Sequence, residues 1–243
     1  VNRRGFLAAL AGGASALVVG APAVQAADPA RAPYGSGPLG DWTVYTPMMS
    51  TATRFQQVAD NNGVLLLGDS IAKANAPALG GRVGAAGLFL GVNAWPSRPT
   101  EPAVDWLEAN PGYIPDRGVV VACGSNDIFR PVGWWQQVSR VLALAAGRPV
   151  VWVSVYVDRW KDATGAPASA ARRAADMRNS GLINEQLRNT SKLYPNLKII
   201  EWYASLAGGH NESNIDAWLT DGVHTTAAGT EAWCDLVAAG IGL

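Results

Sequence analysis

Val64-Leu65-Leu66-Leu67 runs directly into Gly68-Asp69-Ser70-Ile71. Four aliphatic residues followed by a glycine, an acid and a hydroxyl describe a strand buried on both faces that ends in a polar loop. In open α/β sheets, ligands bind at the carboxyl ends of the strands. Ser70 is therefore either an ordinary turn residue or a hydroxyl aimed at a substrate. An Asx-turn would account for Gly-Asp-Ser on its own. The choice depends on whether the chain supplies a base and an oxyanion donor at other strand ends.

The same pattern recurs. Short apolar, β-branched runs at 88–92, 118–122, 149–155 and 197–202 join 64–67 as candidate parallel strands. Helical patterns lie between them, over 71–79, 101–109, 132–146, 169–193 and 226–239. Thr100 is placed to cap the second of these, and Ser180-Gly181 to bend the long fourth one. Strands alternating with helices through short connections give an α/β class, with helices on a parallel sheet.

At 243 residues the chain suffices for one good-sized core. Nineteen basic residues balance nineteen acidic ones, and no basic stripe appears, so no nucleic-acid partner is expected. Three regions are expected. Residues 1–26 read as an export signal, with an uncleaved membrane anchor as the alternative: the Arg3-Arg4 pair precedes Gly5-Phe6-Leu7, an apolar run covers 8–24, and Val24-Gln25-Ala26 fits a peptidase site. The arginine pair is similar to a twin-arginine address. Residues 27–62 read as an extended leader with a helical turn near 52–59, and 63–243 as the domain proper. No later run is apolar enough to span a bilayer, so the exported protein is expected outside the cytoplasmic membrane, as a monomer. Export permits a disulfide between Cys123 and Cys234, the only two cysteines. The apolar context of each suits a free buried thiol equally well.

Three polar clusters fall at expected strand ends. Gly68-Asp69-Ser70 follows the first strand and Gly124-Ser125-Asn126-Asp127 the third; Thr220-Asp221-Gly222-Val223-His224 precedes the last helix. A serine hydroxyl needs a base to become a nucleophile, and histidine titrates in the useful range. Asp221, three residues before His224, can fix its tautomer and stabilise the imidazolium. The oxyanion formed by attack on an ester needs preorganised donors. The amide of Asn126 and the backbone N–H of Ser70 are candidates. His210, the other histidine, sits in Gly208-Gly209-His210-Asn211 without a matching acid and is taken as peripheral. Each cluster alone could be a turn or a cap; their conjunction in this order is what carries the reading.

These segments resemble the SGNH (GDSL-like) hydrolases, whose blocks are Gly-Asp-Ser, a glycine after the second strand, Gly-x-Asn-Asp and Asp-x-x-His. Three blocks match, over about 63–239 of the chain. The resemblance implies a flavodoxin-like three-layer α/β/α sandwich with five parallel strands and no cofactor. It makes Ser70 the nucleophile, His224 the base and Asp221 its orienter. The remaining block departs: Ser97 stands near the expected glycine whose N–H is the third oxyanion donor, with Gly91 as an earlier match. Asp69 and Asp127 read as braces for their loops, with Gly124 opening the third block. A metal held by Asp69, Asp127 and His224 is the rival, but no compact ligand spacing supports it.

The expected activity is ester hydrolysis through an acyl-enzyme, on a carbohydrate or small-molecule ester bearing a short acyl group. Residues 153–160 are similar to the SGNH domains of bacterial polysaccharide acyltransferases, which makes transfer to a sugar hydroxyl an alternative. A lipid ester and an inactive glycan-binding module are further alternatives. Trp95, Trp134, Trp135, Trp160 and Trp218 are candidates to stack on sugar rings, and Arg98 or Arg159 to meet an anionic group.

Overall fold

Gly68, at the end of the opening strand, explains how strand and helix meet. A Cβ there would lie 2.0 Å from the Cβ of Ala72, so only glycine lets the following helix start against the strand end. The computed structural model describes residues 34–161, 165–207 and 212–243. The expected export signal and His210 lie outside the described residues.

In chain order the strands are β1 (Met48–Met49), β2 (Val64–Gly68), β3 (Leu90–Ala94), β4 (Val119–Ala122), β5 (Val150–Val153) and β6 (Leu197–Ile200). The helices are α1 (Ala52–Asp60), α2 (Ser70–Ala85), α3 (Thr100–Ala109), α4 (Trp135–Ala145), α5 (Ala170–Ser191), α6 (Trp202–Ala207) and α7 (Ala227–Gly240). The sheet order is β1-β3-β2-β4-β5-β6. All pairs are parallel except β1 with β3. The five parallel strands thus follow the flavodoxin-like order, whose switch point lies between β2 and β4.

The central strands are apolar on both faces because both faces are covered. Helices α2 and α7 pack together on one side of the sheet, and α3, α4 and α5 pack in series on the other. Leu65, Leu66 and Leu67 are fully buried, each contributing about 1.5–3 kcal/mol of transfer free energy. Helix α1 packs on β3 through Phe55 and Val58, and Phe55 stacks on Tyr113 at 5.2 Å.

Four expectations are corrected. The sheet has six strands: β1 adds an antiparallel edge, with Met48 opposite Ala94 and Met49 opposite Asn93. Two residues carry no periodicity, and a strand so short is a common way to blunt a sheet edge. Consequently 34–62 is not an extended leader; it contributes β1 and α1 to the sheet and core. Pro99, not Thr100, occupies the N-cap of α3. Thr100 is instead buried in the first turn, where its hydroxyl donates to Asp127 at 2.7 Å.

Helix α5 runs unbroken through Ser180-Gly181. Its inner face is polar: the Ser180 hydroxyl accepts from the Val157 N–H at 3.2 Å, and Asn184 exchanges two bonds with the Val155 backbone at 2.7 and 2.8 Å. The small pair serves an intact helix that holds the loop after β5. Finally, Cys123 and Cys234 are both free and buried. Cys123 directly follows β4, its carbonyl accepting from Trp152 Nε1 at 3.1 Å, whereas Cys234 lies in α7 with its sulfur 3.7 Å from the Asn75 carbonyl.

Candidate active site

Ser70 is the first residue of α2, and Asp69 caps that helix by accepting the Ile71 N–H at 2.9 Å. The N–H of Ser70 therefore points off a helix N-terminus with no protein acceptor among the described residues. The positive end of the helix dipole favours negative charge there. Asp69 is fully buried. Burial pushes its pKa up to about 6, against the lowering effect of the Ile71 N–H, His224 and Arg98.

The histidine approaches from the turn before α7. His224 Nε2 lies 2.9 Å from Ser70 Oγ, and Nδ1 lies 2.7 Å from Asp221 Oδ2. The other Asp221 oxygen accepts the N–H of Val223 at 3.0 Å and of His224 at 2.8 Å, so one carboxylate builds the turn and orients the ring. Burial acts to raise the Asp221 pKa, but the bonds from His224 and Val223 bring it down to about 2. The bond to Asp221 in turn raises the pKa of His224, against its partial burial. Gly222 makes the turn possible. Its φ is +89°, and a Cβ would lie 1.7 Å from the Asp158 carbonyl. The loop after β5 docks here, with Asp158 N–H donating to Gly222 and Trp160 N–H to Asp221.

Two loops flank Ser70. Ser97, in the loop after β3, has φ +60°, a left-handed conformation that glycine adopts more easily. Its N–H has no protein acceptor among the described residues. Gly91 lies mid-strand opposite Leu65, where a Cβ would meet Phe55 at 3.0 Å, so it serves packing of α1 and lies away from this loop. Asn126, after β4, donates one amide hydrogen to the Arg98 carbonyl at 3.2 Å, and the other has no acceptor among the described residues. Asp127 next to it accepts both the N–H of Thr100 at 3.0 Å and its hydroxyl at 2.7 Å. Burial pushes Asp127 up to about 7, with Thr100 pulling the other way. Gly124 accepts the Asp127 N–H at 2.9 Å, closing that turn.

Ser70, Ser97, Asn126, Asp221 and His224 line one open cleft of about 520 Å³. A second cavity of about 800 Å³ adjoins it, the two sharing Pro38, Leu39, Asn126 and Phe129. The segment 36–45 crosses between them, held at one end by Arg159 donating to the Ser36 carbonyl at 2.7 Å. At the other end Trp95 Nε1 donates to the Tyr45 carbonyl at 2.6 Å.

The expected substrate-contact residues are mostly elsewhere. Arg98 is buried, donating to Asn93 Oδ1 at 2.7 Å and to the Gly68 and Asn93 carbonyls at 2.9 Å. It ties the β2 and β3 ends together and is not available to a ligand. Trp95 is used on Tyr45 and packs edge-on against Trp42 at 5.0 Å. Trp160 packs against the core beside Gly222 and lines neither cavity. Of these four, only Arg159 borders the cleft, and its guanidinium is bound to Asp176 at 2.7 and 2.6 Å. The sequence reading missed Leu39, Tyr45 and Phe129, which do line it, as well as Lys161 and Arg172. The first two lie in the supposed leader. For Arg172 a signal existed: two adjacent arginines, Arg172-Arg173, in the first turn of a helix, where the dipole disfavours cations.

Among the described residues, no group of three or more His, Cys, Asp or Glu is placed to hold a metal ion. Nor is any described helix long and apolar enough to cross a membrane. A hydroxyl, an imidazole and a carboxylate in one chain, facing unpaired N–H donors, is an arrangement suited to nucleophilic acyl transfer.

No protein-family model matches the chain, and no curated protein matches it either. Solved structures do match. A lipase/acylhydrolase from Enterococcus faecalis is 18% identical with a TM-score of 0.56, over 74% of this chain and 94% of that one. A GDSL-like lipase from Bacteroides thetaiotaomicron is 15% identical with a TM-score of 0.59, over 80% and 91%. The C-terminal catalytic domain of a peptidoglycan O-acetyltransferase from Streptococcus pneumoniae is 20% identical with a TM-score of 0.50, over 74% and 92%. The fold expected from the sequence motifs is thus the fold these proteins share.

Proposed function

We propose that this chain, built on the SGNH hydrolase fold, is a serine ester hydrolase that removes a short acyl group, such as acetyl, from a carbohydrate or small-molecule ester. The observation that carries this is the Ser70–His224–Asp221 chain, with contacts of 2.9 and 2.7 Å at the carboxyl edge of the sheet.

In this reading His224 takes the Ser70 proton as the hydroxyl attacks the acyl carbon, and Asp221 stabilises the imidazolium. The oxyanion meets three donors: the free amide hydrogen of Asn126 and the backbone N–H groups of Ser70 and Ser97. His224 then protonates the departing alcohol. Water, deprotonated by the same imidazole, releases the acid and restores Ser70. Asp69 and Asp127 act one step back, by holding the Ser70 and Asn126 loops.

The polar rim of the cleft and its open extension past Pro38 and Leu39 favour a substrate larger than a simple ester. The likeness to an O-acetyltransferase domain makes transfer to a sugar hydroxyl the second reading, using the same residues. Export to the cell envelope or exterior is part of the proposal, resting on the composition of residues 1–26 alone. The test is a product screen on acetylated glycans, short-chain esters and long-chain lipids, with Ser70→Ala as blank. Acetate release from glycans, absent in the blank, is expected. Equal release by wild type and blank would overturn the serine mechanism.

A further inference from the structure

The charge facing the cleft is one-sided. Asp221 is the only acid among the described lining residues, and its carboxylate is engaged by His224. The cations are Arg159, Lys161 and Arg172. Arg159 is neutralised by Asp176, which leaves Lys161 and Arg172 without a matching acid among the described residues that line the cleft.

Arg172 is the more informative. Its Nε is shielded from solvent and has no hydrogen-bond partner among the described residues. A guanidinium N–H withdrawn from water and left unpaired is costly unless something else supplies an acceptor. The neighbouring Arg173 shows the usual resolution, since it binds Asp158 with two bonds of 2.7 and 2.6 Å. Nor does Arg172 serve its helix. It sits in the first turn of α5, where the dipole opposes a positive charge. No carboxylate among the described residues pairs with its guanidinium, and it borders the cleft.

We propose that Arg172 and Lys161 form an anion subsite beside the Ser70–His224 pair, selecting esters whose alcohol part carries a carboxylate or phosphate. The selection rests on the proposed role of Ser70 as nucleophile; the binding of the anion does not. A guanidinium and an ammonium that line the same cleft suit an oxyanion group, through charge-assisted hydrogen bonds. The apolar sides of Leu39, Tyr45 and Phe129 leave room for the sugar ring that bears it.

The experiment compares acetylated galacturonate, its neutral methyl ester and an acetylated sugar phosphate, at low and high salt. The charged forms should have kcat/KM on the order of tenfold above the methyl ester, equivalent to about 1.4 kcal/mol. The advantage should shrink with salt. Arg172→Gln and Lys161→Gln should each lower it by raising KM for the charged substrates. The carboxylate and phosphate arms report which anion is preferred. Binding of galacturonate oligomers to Ser70→Ala, followed by calorimetry, tests the subsite without turnover; Arg172→Gln should abolish it. Equal kcat/KM for charged and methyl-ester forms, or a preference that survives the double substitution, would overturn the subsite. Binding through Arg172 without ester turnover by the wild type would keep the subsite and remove the hydrolase reading instead.

Discussion

The Asn126 side chain donates to the Arg98 main-chain carbonyl at 3.2 Å, tying the loop after β4 to the loop after β3 where both border the cleft. Arg98 is itself locked to the ends of β2 and β3. The amide of Asn126 is therefore held before any substrate arrives, which is the condition for an oxyanion donor to lower a barrier without reorganising. Asn126→Ala should reduce kcat by on the order of 10²–10³ while changing KM little. Steady-state kinetics on an acetyl ester checks this, with circular dichroism to confirm the fold. A change confined to KM would remove Asn126 from the transition state.

Ser70 and His224 act as one unit in the proposed mechanism. Ser70→Ala and His224→Ala should each abolish nearly all turnover, and the double variant should be little worse. The raised pKa of His224 sets the acid limb of kcat/KM above its ordinary value of 6.5, because only neutral imidazole can accept the Ser70 proton. Asp221→Asn should move that limb to lower pH and cut kcat, since the partner that favours imidazolium is lost. A pH–rate profile of both proteins reads the two effects separately.

Ser97 stores a local cost. Its φ of +60° is worth about 1–2 kcal/mol for a residue with a Cβ. Ser97→Gly should retain turnover and leave stability within about 1 kcal/mol, because the proposed donor is the backbone N–H. Loss of activity in this variant would assign the role to the hydroxyl.

Asp69 and Asp127 should make the protein less stable as pH rises. Burial raises their pKa values from 3.8 to about 6 and about 7, so between those values the native state holds protons that the unfolded chain releases. Stability falls where the native state binds more protons. His224 adds the same sign: its raised pKa contributes stability that is full below 6.5 and lost as pH passes the native value. Thermal denaturation should show a falling Tm across this window, and Asp127→Asn should make the fall shallower. An unchanged slope in the variant would show that Asp127 is already ionised there.

Both cysteines should count as thiols. Burial raises the pKa of Cys123 well above its ordinary value and that of Cys234 to about 11. Neither should react with a thiol reagent in the native state at neutral pH, and two thiols should appear on unfolding.

Local chemistry was enough to read the parallel sheet and the Ser70, Asn126 and Asp221–His224 clusters. A strand covered on both faces must be apolar throughout, and a turn that reverses into a helix must carry glycine and short polar side chains. Those demands act within a few residues, so 64–70 and 220–226 declare themselves. The face of α5 is the opposite case. Asp176, Asn179, Ser180 and Asn184 look like solvent residues, yet they are buried because loops distant in sequence supply their partners. The same holds for the arginines. Nothing near Arg98 or Arg159 shows that they bind Gly68 and Asp176, and nothing near Lys161 shows that it faces the cleft. A charged side chain takes its role from what lies opposite it, and only the folded chain decides what that is.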